Sequence, residues 1–378
     1  MHRNEFIASR FPRTLFEKIK AGLHWENNHK YSKEEKKIQK SYKINSLFKL
    51  ISENSSRIRY LPQFVSIDES IVPYKGKKSP IRQYLPLKPN RWGFKLWALC
   101  DKLGYLYRST IYEGARYENG KKIVRKGLGK EVVLDLMQDN LDKGHVVITD
   151  NFYTSVALAT ELLENETYIV GQIKPNAKEL PKEWIKDTKK ELQSADKGQF
   201  DWVMKGQLAL FGWHDTKVNF MLGTWPGLTK KTSFDSTIER SSNQTTETRD
   251  CPTIANVYNE YMGGVDLFDS YKAKVATQLT SHKWWIPLFY SAFDTAIVNS
   301  WINWNEYAED NLTLHQFKEK IAESMLPEPF WWLKPKKVTP VQEEKKRKIS
   351  IEKEIECHVP SVVKGKRGFG SKKNLCYM

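Results

Sequence analysis

Apolar and polar positions follow different periods along the chain. Residues 11–60 place apolar side chains at mixed helical spacing and end in turn-forming Asn and Ser, which predicts a small helical unit. After Pro62, β-branched and aromatic runs predict strands in QFVSID, WGFKLWALCD and GYLYRSTIYEG. A helix, strand, helix and strand are expected next, in EVVLDLMQDNLDKG, HVVITD, SVALATELLENE and TYIVGQIK. This order predicts a mixed α/β domain and fits a ribonuclease-H-like layout.

A second change of pattern begins near Lys174 and lasts until about Asp250. Short strand candidates, separated by Pro-containing and polar stretches, occur there in GQFDWVMK, LALFGWHD and VNFMLGTW. We interpret this region as a β-rich insertion within the α/β domain. Helical spacing then returns in TIANVYNEYMGGVDLFDSYKAKV, followed by a long aromatic helix that is expected to break or kink near Pro287.

Charge is distributed unevenly over the 378 residues, whose formal net charge is +16. Residues 1–60 carry 14 Lys and Arg against 6 Asp and Glu, residues 334–378 carry 13 against 5, and the middle is balanced. Basic flanks suit a polyanion such as nucleic acid, although solvated lysine-rich tails give the same count. Short basic runs from Lys336 to Lys348 fit either a nuclear import signal or a solvated tail.

Neither a membrane anchor nor a disulfide framework is predicted. The chain contains no sufficiently long apolar run, and its first residues lack the pattern of a signal peptide. Four scattered cysteines without a CxxC pair favour a reducing, intracellular compartment.

Candidate metal ligands occur at the edges of apolar runs. Asp68 is expected to end one strand and Asp150 another, while Asp266 and Asp269 share one face of a helix. Carboxylates at strand ends project into a common crevice, where two hard divalent ions can stabilise an in-line phosphoryl displacement. The alternative for Asp150 is a turn or N-cap residue. Asp269 either binds metal or orients Asp266.

A basic stripe with aromatic residues follows the first of these acids. Seven basic residues and no acid occur between Val72 and Lys95, in a segment that also contains Tyr74, Tyr84 and Trp92. Phosphate neutralisation beside aromatic faces is typical of proteins that hold distorted DNA, whereas a lysine-rich surface loop is the alternative. The predicted DNA contacts are Lys75, Lys77, Lys78, Arg82, Lys88, Arg91, Trp92 and Lys95.

Several sequence blocks resemble those of piggyBac-like transposases and the proteins derived from them. The blocks include IDE at Asp68, TDNFYTS at Asp150 and GGVDLFD at Asp266 and Asp269, and they occur in the family's order between about residues 11 and 333. The resemblance implies that these four aspartates are the catalytic acids. It also implies Mg²⁺-dependent DNA cleavage with two ions, Mn²⁺ as a substitute, flanking hairpins and joining at TTAA sites.

The resemblance implies an α/β fold with a ribonuclease-H-like catalytic domain, an inserted β-rich subdomain and a flanking helical dimerisation and DNA-binding unit. A nuclear homodimer acting on double-stranded DNA is expected. The expected segments are 1–62 (helical, first part), 63–175 (catalytic, first part), 176–250 (insertion), 251–274 (last catalytic helix), 275–333 (helical, second part) and 334–378 (basic tail).

The chain departs from the family pattern at its ends, where both flanks of the usual protein are expected to be missing. Cys357, His358 and Cys376 resemble the opening of a cysteine-rich zinc domain, but three ligands do not close a four-ligand site, so zinc is not expected. Two functions remain open: an active DNA transposase core, and a catalytically silent DNA-binding or chromatin-associated derivative. Retention of the four acids favours the first. A structure-selective nuclease has no support from the family blocks.

Overall fold

The computed structural model describes residues 5–86, 90–114, 117–118, 121–122, 127–229, 236–242, 245–277, 281, 283–326, 362–364 and 371–373. The chain divides into two compact units, one formed by residues 24–319 and the other by residues 1–23 with 320–378. The first unit contains the central sheet and all four predicted catalytic acids. The predicted contact Lys88, the cysteines Cys357 and Cys376, His358 and the basic runs from Lys336 to Lys348 lie outside the described residues.

Helices and strands occur mostly in runs and alternate only between α5 and β9. The helices are α1 (Glu5–Arg10), α2 (Arg13–Gly22), α3 (Lys33–Ile38), α4 (Asn45–Ile58), α5 (Leu128–Met137), α6 (Val156–Glu164), α7 (Lys182–Ser194), α8 (Thr253–Tyr261), α9 (Gly264–Val275), α10 (Ile286–Tyr307) and α11 (Leu314–Met325). The strands are β1 (Phe64–Pro73), β2 (Gln83–Tyr84), β3 (Trp92–Cys100), β4 (Leu106–Ile111), β5 (Tyr117–Glu118), β6 (Lys121–Lys122), β7 (Val146–Thr149), β8 (Tyr168–Gln172), β9 (Phe200–Lys205), β10 (Leu208–His214), β11 (Val218–Gly223), β12 (Ser236–Ser242), β13 (Thr245–Cys251), β14 (Val362–Lys364) and β15 (Ser371–Lys373).

A nine-stranded mixed sheet organises the unit formed by residues 24–319. Its order is β2-β3-β1-β7-β8-β11-β10-β9, with β4 also paired to β3. Strands β1, β7 and β8 are parallel, and the other pairings are antiparallel. Every residue of β7 is buried, which agrees with its continuous apolar run at the centre of a sheet covered on both faces.

Two hydrophobic clusters pack against the sheet. In one, Val133 of α5 and Leu158 of α6 join Val65 and Ile67 of β1. In the other, Ile254 of α8 joins buried residues of β7, β8, β10 and β11. Successive side chains of a strand point to opposite faces, so one strand contributes to both layers. The mixed α/β expectation is confirmed.

The sheet continues across the boundary that the sequence predicted at residues 175 and 176. Strand β11 pairs with β8 through Leu222 and Gly171, and β10 and β9 extend the same sheet. In the described part of the predicted insertion, only the hairpin of β12 and β13 forms a separate sheet. Helix α7 also lies in this segment, where no helix was expected from the sequence.

Two expectations about helices are refined by the structure. Of the break or kink expected near Pro287, the structure shows a helix start, because α10 begins at Ile286 and proline is tolerated in a first helical turn. The stretch that was expected to form one helix after residue 252 forms two, since α8 ends at Tyr261 and α9 begins at Gly264. Among the described residues, no helix combines the length and apolar character that crossing a membrane requires.

Candidate active site

Asp68 lies in the middle of strand β1, not at its end as the sequence suggested. The strand continues to Pro73 because its antiparallel pairing with β3 extends well beyond its parallel pairing with β7. Alternation along the strand directs Asp68 to the same face as Ser66 and Ser70. The Glu69 amide donates to Oδ1 of Asp68 at 2.7 Å. Asp68 therefore lies just beyond the last parallel pairing of β1 with β7, where the antiparallel pairing of β1 with β3 continues.

Asp150 follows β7 directly and lies beside Asp68 in the sheet. Ile67 is paired with Thr149 in the parallel register, so the next residues of the two strands are Asp68 and Asp150. The Phe152 amide donates to Oδ1 of Asp150 at 2.8 Å, and the Thr154 amide and hydroxyl both donate to its carbonyl oxygen. The structure thus brings together the two acids predicted on strands and holds the second in a hydrogen-bonded turn.

Helix α5 packs against that turn through a glycine. A Cβ atom at Gly129 would lie 2.6 Å from the carbonyl oxygen of Phe152, so no larger residue fits without moving the turn. The close approach of Gly129 fixes the chain that follows Asp150.

Helix α9 carries Asp266 and Asp269 and lies along β1. Its first residue is close to the strand, since a Cβ at Gly264 would lie 2.6 Å from Oγ of Ser66. Further along, Asp269 accepts a hydrogen bond from Ser70. Asp266 lies between these two residues in the helix and is exposed. The structure therefore places α9, with Asp269 in contact, over the face of β1 that carries Asp68.

The carboxylate of Asp269 is occupied by groups that dock α9 onto β1. Oδ1 accepts from the Ser70 hydroxyl at 2.5 Å and lies 3.3 Å from Nζ of Lys272, while Oδ2 accepts from the Ile71 amide at 3.4 Å. Nζ of Lys272 also donates to Ser70 at 3.1 Å, and this lysine is buried. These contacts favour Asp269 as the residue that orients its helix, one of the two roles left open by its spacing.

Burial and neighbouring acids shape the electrostatics around Asp150. Burial raises the pKa of its carboxyl group and the charge of Glu69 adds to the rise, while the Phe152 amide and Lys174 oppose it. Burial also raises the pKa of Tyr153 and of Tyr258, and the charges of Asp68 and Asp150 raise both further. Both acids therefore act on the same two buried phenols, as expected for neighbouring carboxylates.

The donor chemistry at Asp68 and Asp150 fits a divalent cation. Carboxylate oxygens are the hard ligands that Mg²⁺ prefers, and a cation would offset the cost of placing the Asp150 charge near Glu69. In the part of the chain that the structure describes, no three His, Cys, Asp or Glu side chains are grouped closely enough to hold a metal ion. The register of β1 and β7 thus brings Asp68 and Asp150 next to each other, Asp68 within its strand and Asp150 directly after β7.

Lys95 was predicted as a DNA contact, but its amine lies against an acid and three aromatic rings. Nζ of Lys95 is 2.5 Å from Oε1 of Glu69 and 3.9 Å from the centre of the Trp97 ring, and the side chain is only 13% exposed. Glu69 pairs with Trp97 across β1 and β3, so the side chains of Glu69, Trp97 and Lys95 share one face of the sheet. Lys95 is therefore separated by its contacts from the exposed part of the stripe.

The remaining described residues of the stripe form an exposed basic surface at the far end of β1. Lys75, Lys77, Lys78 and Arg91 are exposed, and we call these four residues the basic surface. Arg82 supports it, because Nη1 donates to the carbonyl of Gly76 at 2.9 Å and the guanidinium lies 4.0 Å from the centre of the Trp92 ring.

Two aromatic rings adjoin the basic surface. Trp92 is 42% exposed, and its ring centre lies 4.7 Å from that of Tyr84, which is also exposed. Exposed aromatic rings next to phosphate contacts suit nucleic-acid binding, because every DNA base has a π-face that can stack on such a ring. Asp68 lies within strand β1 and the basic surface adjoins the end of that strand, whereas Lys95 lies against Glu69 on the opposite face of the sheet from Asp68.

A cavity of about 500 Å³ lies away from the four acids. Trp97, Tyr112 and Leu128 form part of its wall, and its acidic residues are Glu113, Glu131 and Asp135. Oε1 of Glu113 accepts from the Ser41 amide at 2.9 Å. Carboxylates repel phosphate groups, so this cavity does not suit a DNA backbone.

Sequence reasoning missed Ser70, Lys272, Glu69 and Phe152. Two of them left a signal: Ser70 shares the period-two face of Asp68, and Lys272 follows Asp269 by three residues on a helix. The partnership between Ser70 and Asp269 joins residues 199 positions apart, and nothing in local spacing predicts it. No sequence signal singled out Phe152, because the exposure of its ring is seen only in the structure.

A family match over most of the sequence shows the class of protein to which the chain belongs. Residues 1–301 match the family described as transposase IS4. The chain is therefore a member of that transposase family.

Individual relatives are of the piggyBac type, which confirms the resemblance noted in the sequence. The chain is 24% identical over 325 residues to human piggyBac transposable element-derived protein 3, covering 84% of this chain and 52% of that protein. It is 24% identical over 304 residues to human piggyBac transposable element-derived protein 2, covering 79% and 49%. The chain thus spans about half the length of the curated relatives it matches.

A solved structure has a similar fold. The cryo-EM structure of a piggyBac transposase synaptic complex with hairpin DNA superposes with a TM-score of 0.69 at 20% sequence identity. The similarity covers 96% of this chain and 70% of that one. At this identity, the match establishes the mixed α/β fold.

Proposed function

We propose that this chain is the catalytic core of a cut-and-paste DNA transposase that cleaves and transfers DNA strands at TTAA sites by metal-dependent phosphoryl transfer. The observation that carries the proposal is the aligned position of Asp68 and Asp150 at the ends of a parallel pairing, with α9 lying across the same face. Membership of the transposase IS4 family supports the reaction class. A ribonuclease-H-like arrangement of β1, β7, β8 and α9 is part of the proposal.

Asp68, Asp150 and Asp266 would hold the cations, and the other groups would position them. Mg²⁺, with Mn²⁺ as a substitute, would stabilise the attacking and leaving oxygens of an in-line displacement. The Phe152 amide holds Oδ1 of Asp150 and leaves its second oxygen for a ligand. Asp269 would keep α9, the helix that carries Asp266, on the face of β1 that carries Asp68.

Double-stranded DNA is the proposed substrate and partner. The basic surface offers four exposed cations for phosphate groups, and Trp92 and Tyr84 add aromatic faces. The related piggyBac transposase was solved as a complex with hairpin DNA, which supports the same partner here. A homodimer and a nuclear location complete the proposal, and they are tested by the mass of the protein in solution and by fluorescence microscopy of a tagged chain.

The direct test is DNA cleavage with and without Mg²⁺, using duplexes that end in candidate inverted repeats next to TTAA. Asp68→Asn and Asp150→Asn should each lower cleavage by more than about 100-fold, since residues that merely support metal ligands already cost about 10- to 100-fold. DNA binding without metal should be retained. The matched control is Asp187→Asn, an exposed aspartate of α7, which should cleave normally.

Two results would contradict the proposal. If wild-type protein binds DNA but cuts none in Mg²⁺ or Mn²⁺, the catalytically silent DNA-binding alternative replaces it. If Asp68→Asn cuts as well as the Asp187→Asn control, the acids do not carry the reaction.

A further inference from the structure

We infer that a small polar pocket beside Asp150 holds water for the step that hydrolyses DNA, with Asn259 as a positioning residue. The inference rests on the proposed function, because it assigns to this pocket the water that one step of that reaction consumes. The pocket has a volume of about 50 Å³, and Gln172, Asn219, Tyr258 and Asn259 form part of its wall. Amide and hydroxyl groups therefore surround much of its space.

Gln172 lies next to Asp150 in the sheet. The parallel pairing of β7 with β8 includes Thr149 and Gly171, so the next residues of the two strands are Asp150 and Gln172. Paired residues of neighbouring strands share a face, and the strands lie about 5 Å apart. A water molecule bridges polar groups across a gap of this size. The pocket therefore begins beside one of the two aligned acids.

Helix α8 covers the same face of the sheet and supplies another wall of the pocket. The helix packs against buried residues of β7, β8, β10 and β11, and it contributes Tyr258 and Asn259 to the pocket. Burial raises the pKa of Tyr258, and the charges of Asp150 and Asp68 raise it further. A phenol that is affected by both charges lies near both acids. The pocket and the acids are thus neighbours on one face.

One side chain of the pocket wall carries a buried donor that needs an acceptor. Among the described residues, Nδ2 of Asn259 is buried and has no hydrogen-bond partner. Buried amide groups of native proteins almost always have a partner, which is either another protein group or ordered water. Since no protein group of the described chain fills this role, the acceptor must enter the pocket from outside.

Water is the acceptor whose size and charge fit the pocket. A bound water needs about 10–15 Å³ of cavity and two to four polar partners, so this pocket accommodates a few molecules. Pockets for organic ligands typically measure about 300–1,000 Å³, so a nucleobase does not fit. The described walls contain no Lys or Arg and include the carboxylate of Asp215, which disfavours a phosphate group.

Strand hydrolysis is the step that consumes this water. The water oxygen forms a bond to phosphorus, and the bond between phosphorus and the 3′ oxygen breaks. One proton of the water goes to the departing 3′ oxygen, and the other stays with the new 5′ phosphate. Strand joining is the same displacement with a DNA 3′ hydroxyl as the attacking group, so it takes no water from the pocket. The acids are needed in both steps and the pocket only in the first.

The test measures hydrolysis and joining separately in Mg²⁺. Hydrolysis is the nicking of an intact duplex with a candidate inverted repeat, and joining is the transfer of a precut end with a 3′ hydroxyl into DNA that contains TTAA. Asn259→Leu replaces the amide with an apolar group of similar size. Hydrolysis should fall by about 10- to 100-fold, since misplacing a reacting group by about 1 Å can cost about 100-fold. Joining should be unchanged, and Gln172→Met should show the same selective loss.

A comparison of stability tests the pocket without DNA or metal. Asn256→Leu is the matched control, because Asn256 is an exposed asparagine of the same helix and the change has the same effect on helix propensity. If the Asn259 amide binds water, Asn259→Leu should have the lower melting temperature of the two variants, since it loses that hydrogen bond. Asn256→Leu should hydrolyse and join DNA as the wild-type protein does.

The outcomes separate the inference from the proposed function. A melting temperature of Asn259→Leu at or above that of Asn256→Leu would show a dry pocket and overturn the inference. Equal losses of hydrolysis and joining would also overturn it, because the amide would then support the fold of the site. If wild-type protein joins precut ends, normal hydrolysis by Asn259→Leu would overturn the inference alone. Wild-type protein that neither hydrolyses nor joins DNA would refute the proposed function and, with it, the role of the pocket.

Discussion

The hydroxyl of Ser70 donates to Oδ1 of Asp269 at 2.5 Å, joining strand β1 to helix α9. Lys272 approaches both partners, at 3.1 Å from Ser70 and 3.3 Å from Asp269. Asp68 is two residues from Ser70 on the strand, and Asp266 is three residues from Asp269 on the helix. The contact therefore fixes the relative position of two candidate metal ligands without itself requiring a metal.

Ser70→Ala should weaken both the fold and the reaction. The variant removes a buried hydrogen bond to a charged group, so the free energy of unfolding should fall by about 1.5–3 kcal/mol in urea denaturation. Cleavage should fall further than stability explains, because Asp266 is carried by the helix that this bond docks. Cleavage is measured at a temperature where both proteins are fully folded.

Ser66→Ala provides the control for that prediction. Ser66 lies on the same face of the same strand, but its hydroxyl donates to a neutral group, the Cys100 carbonyl, at the longer distance of 3.4 Å. Its replacement should cost less stability and leave cleavage nearly unchanged. Equal losses of cleavage in the two variants would show that the Ser70–Asp269 contact has no special role.

The sequence predicted the elements around the site better than the site's contacts. Strand β7 and the turn after it were readable because HVVITD is a short apolar run followed by turn residues. The extent of β1 could not be predicted from the sequence, since Asp68 interrupts the apolar pattern. Only the pairing with β3 shows that the strand continues to Pro73. A polar residue in the middle of a strand resembles a strand end when no neighbour is known.

Side-chain partnerships depended on register, which spacing does not give. Lys95 looked like one more base in a stripe, yet pairing of Glu69 with Trp97 places its amine against an acid. Pro287 indicated either a break or a kink, and only the position of the start of α10 decides between them. The continuity of β8 with β11 required long-range pairing between segments that differ in composition.

The basic surface should set the salt dependence of DNA binding. Replacing Lys75, Lys77, Lys78 and Arg91 with Gln removes four exposed cations at the end of β1. The slope of log affinity against log salt should become shallower by about 0.9 for each phosphate contact that is lost. Fluorescence anisotropy over a range of NaCl concentrations measures this slope.

The matched control for the basic surface removes the same charge elsewhere. Helix α7 has four exposed lysines, Lys182, Lys186, Lys189 and Lys190, and changing them to Gln should leave the slope nearly intact. Equal changes in the two quadruple variants would mean that net charge alone governs binding. The basic surface would then be a solvated face.

His145 should make stability depend on pH. Its Nδ1 donates to the Pro62 carbonyl at 2.9 Å, and burial lowers its pKa despite that bond, with Lys143 adding to the decrease. An unfolded histidine titrates near pH 6.5, so protons bind the unfolded chain more readily. Neutral His145 contributes its full stabilisation of the fold above about pH 6.5. This stabilisation is lost as the pH falls toward the lower pKa of the folded state.

His145→Asn tests this sign because an amide can donate to Pro62 but does not titrate. The melting temperature of wild-type protein should fall relative to that of the variant as pH is lowered from about 7 to 5. His315→Asn, which changes an exposed histidine of α11, should show no such relative shift. A pH-independent difference between wild type and His145→Asn would contradict the assignment.

Sequence preference in DNA binding should be weak for this chain. Lysines and one arginine dominate the basic surface, and such cations meet phosphates, which orient a protein on DNA but do not read bases. Stacking on Trp92 is equally tolerant of sequence. Non-specific binding of this kind typically has a dissociation constant of about 10⁻⁴ to 10⁻⁶ M at physiological salt and weakens steeply as salt rises.

Competition between a duplex with a candidate inverted repeat and a scrambled duplex of equal length, at fixed salt, should show less than about a tenfold difference in affinity, or about 1.4 kcal/mol. A larger preference would mean that side chains of this chain read base edges in a groove, and the basic surface would no longer suffice as the account of its DNA binding.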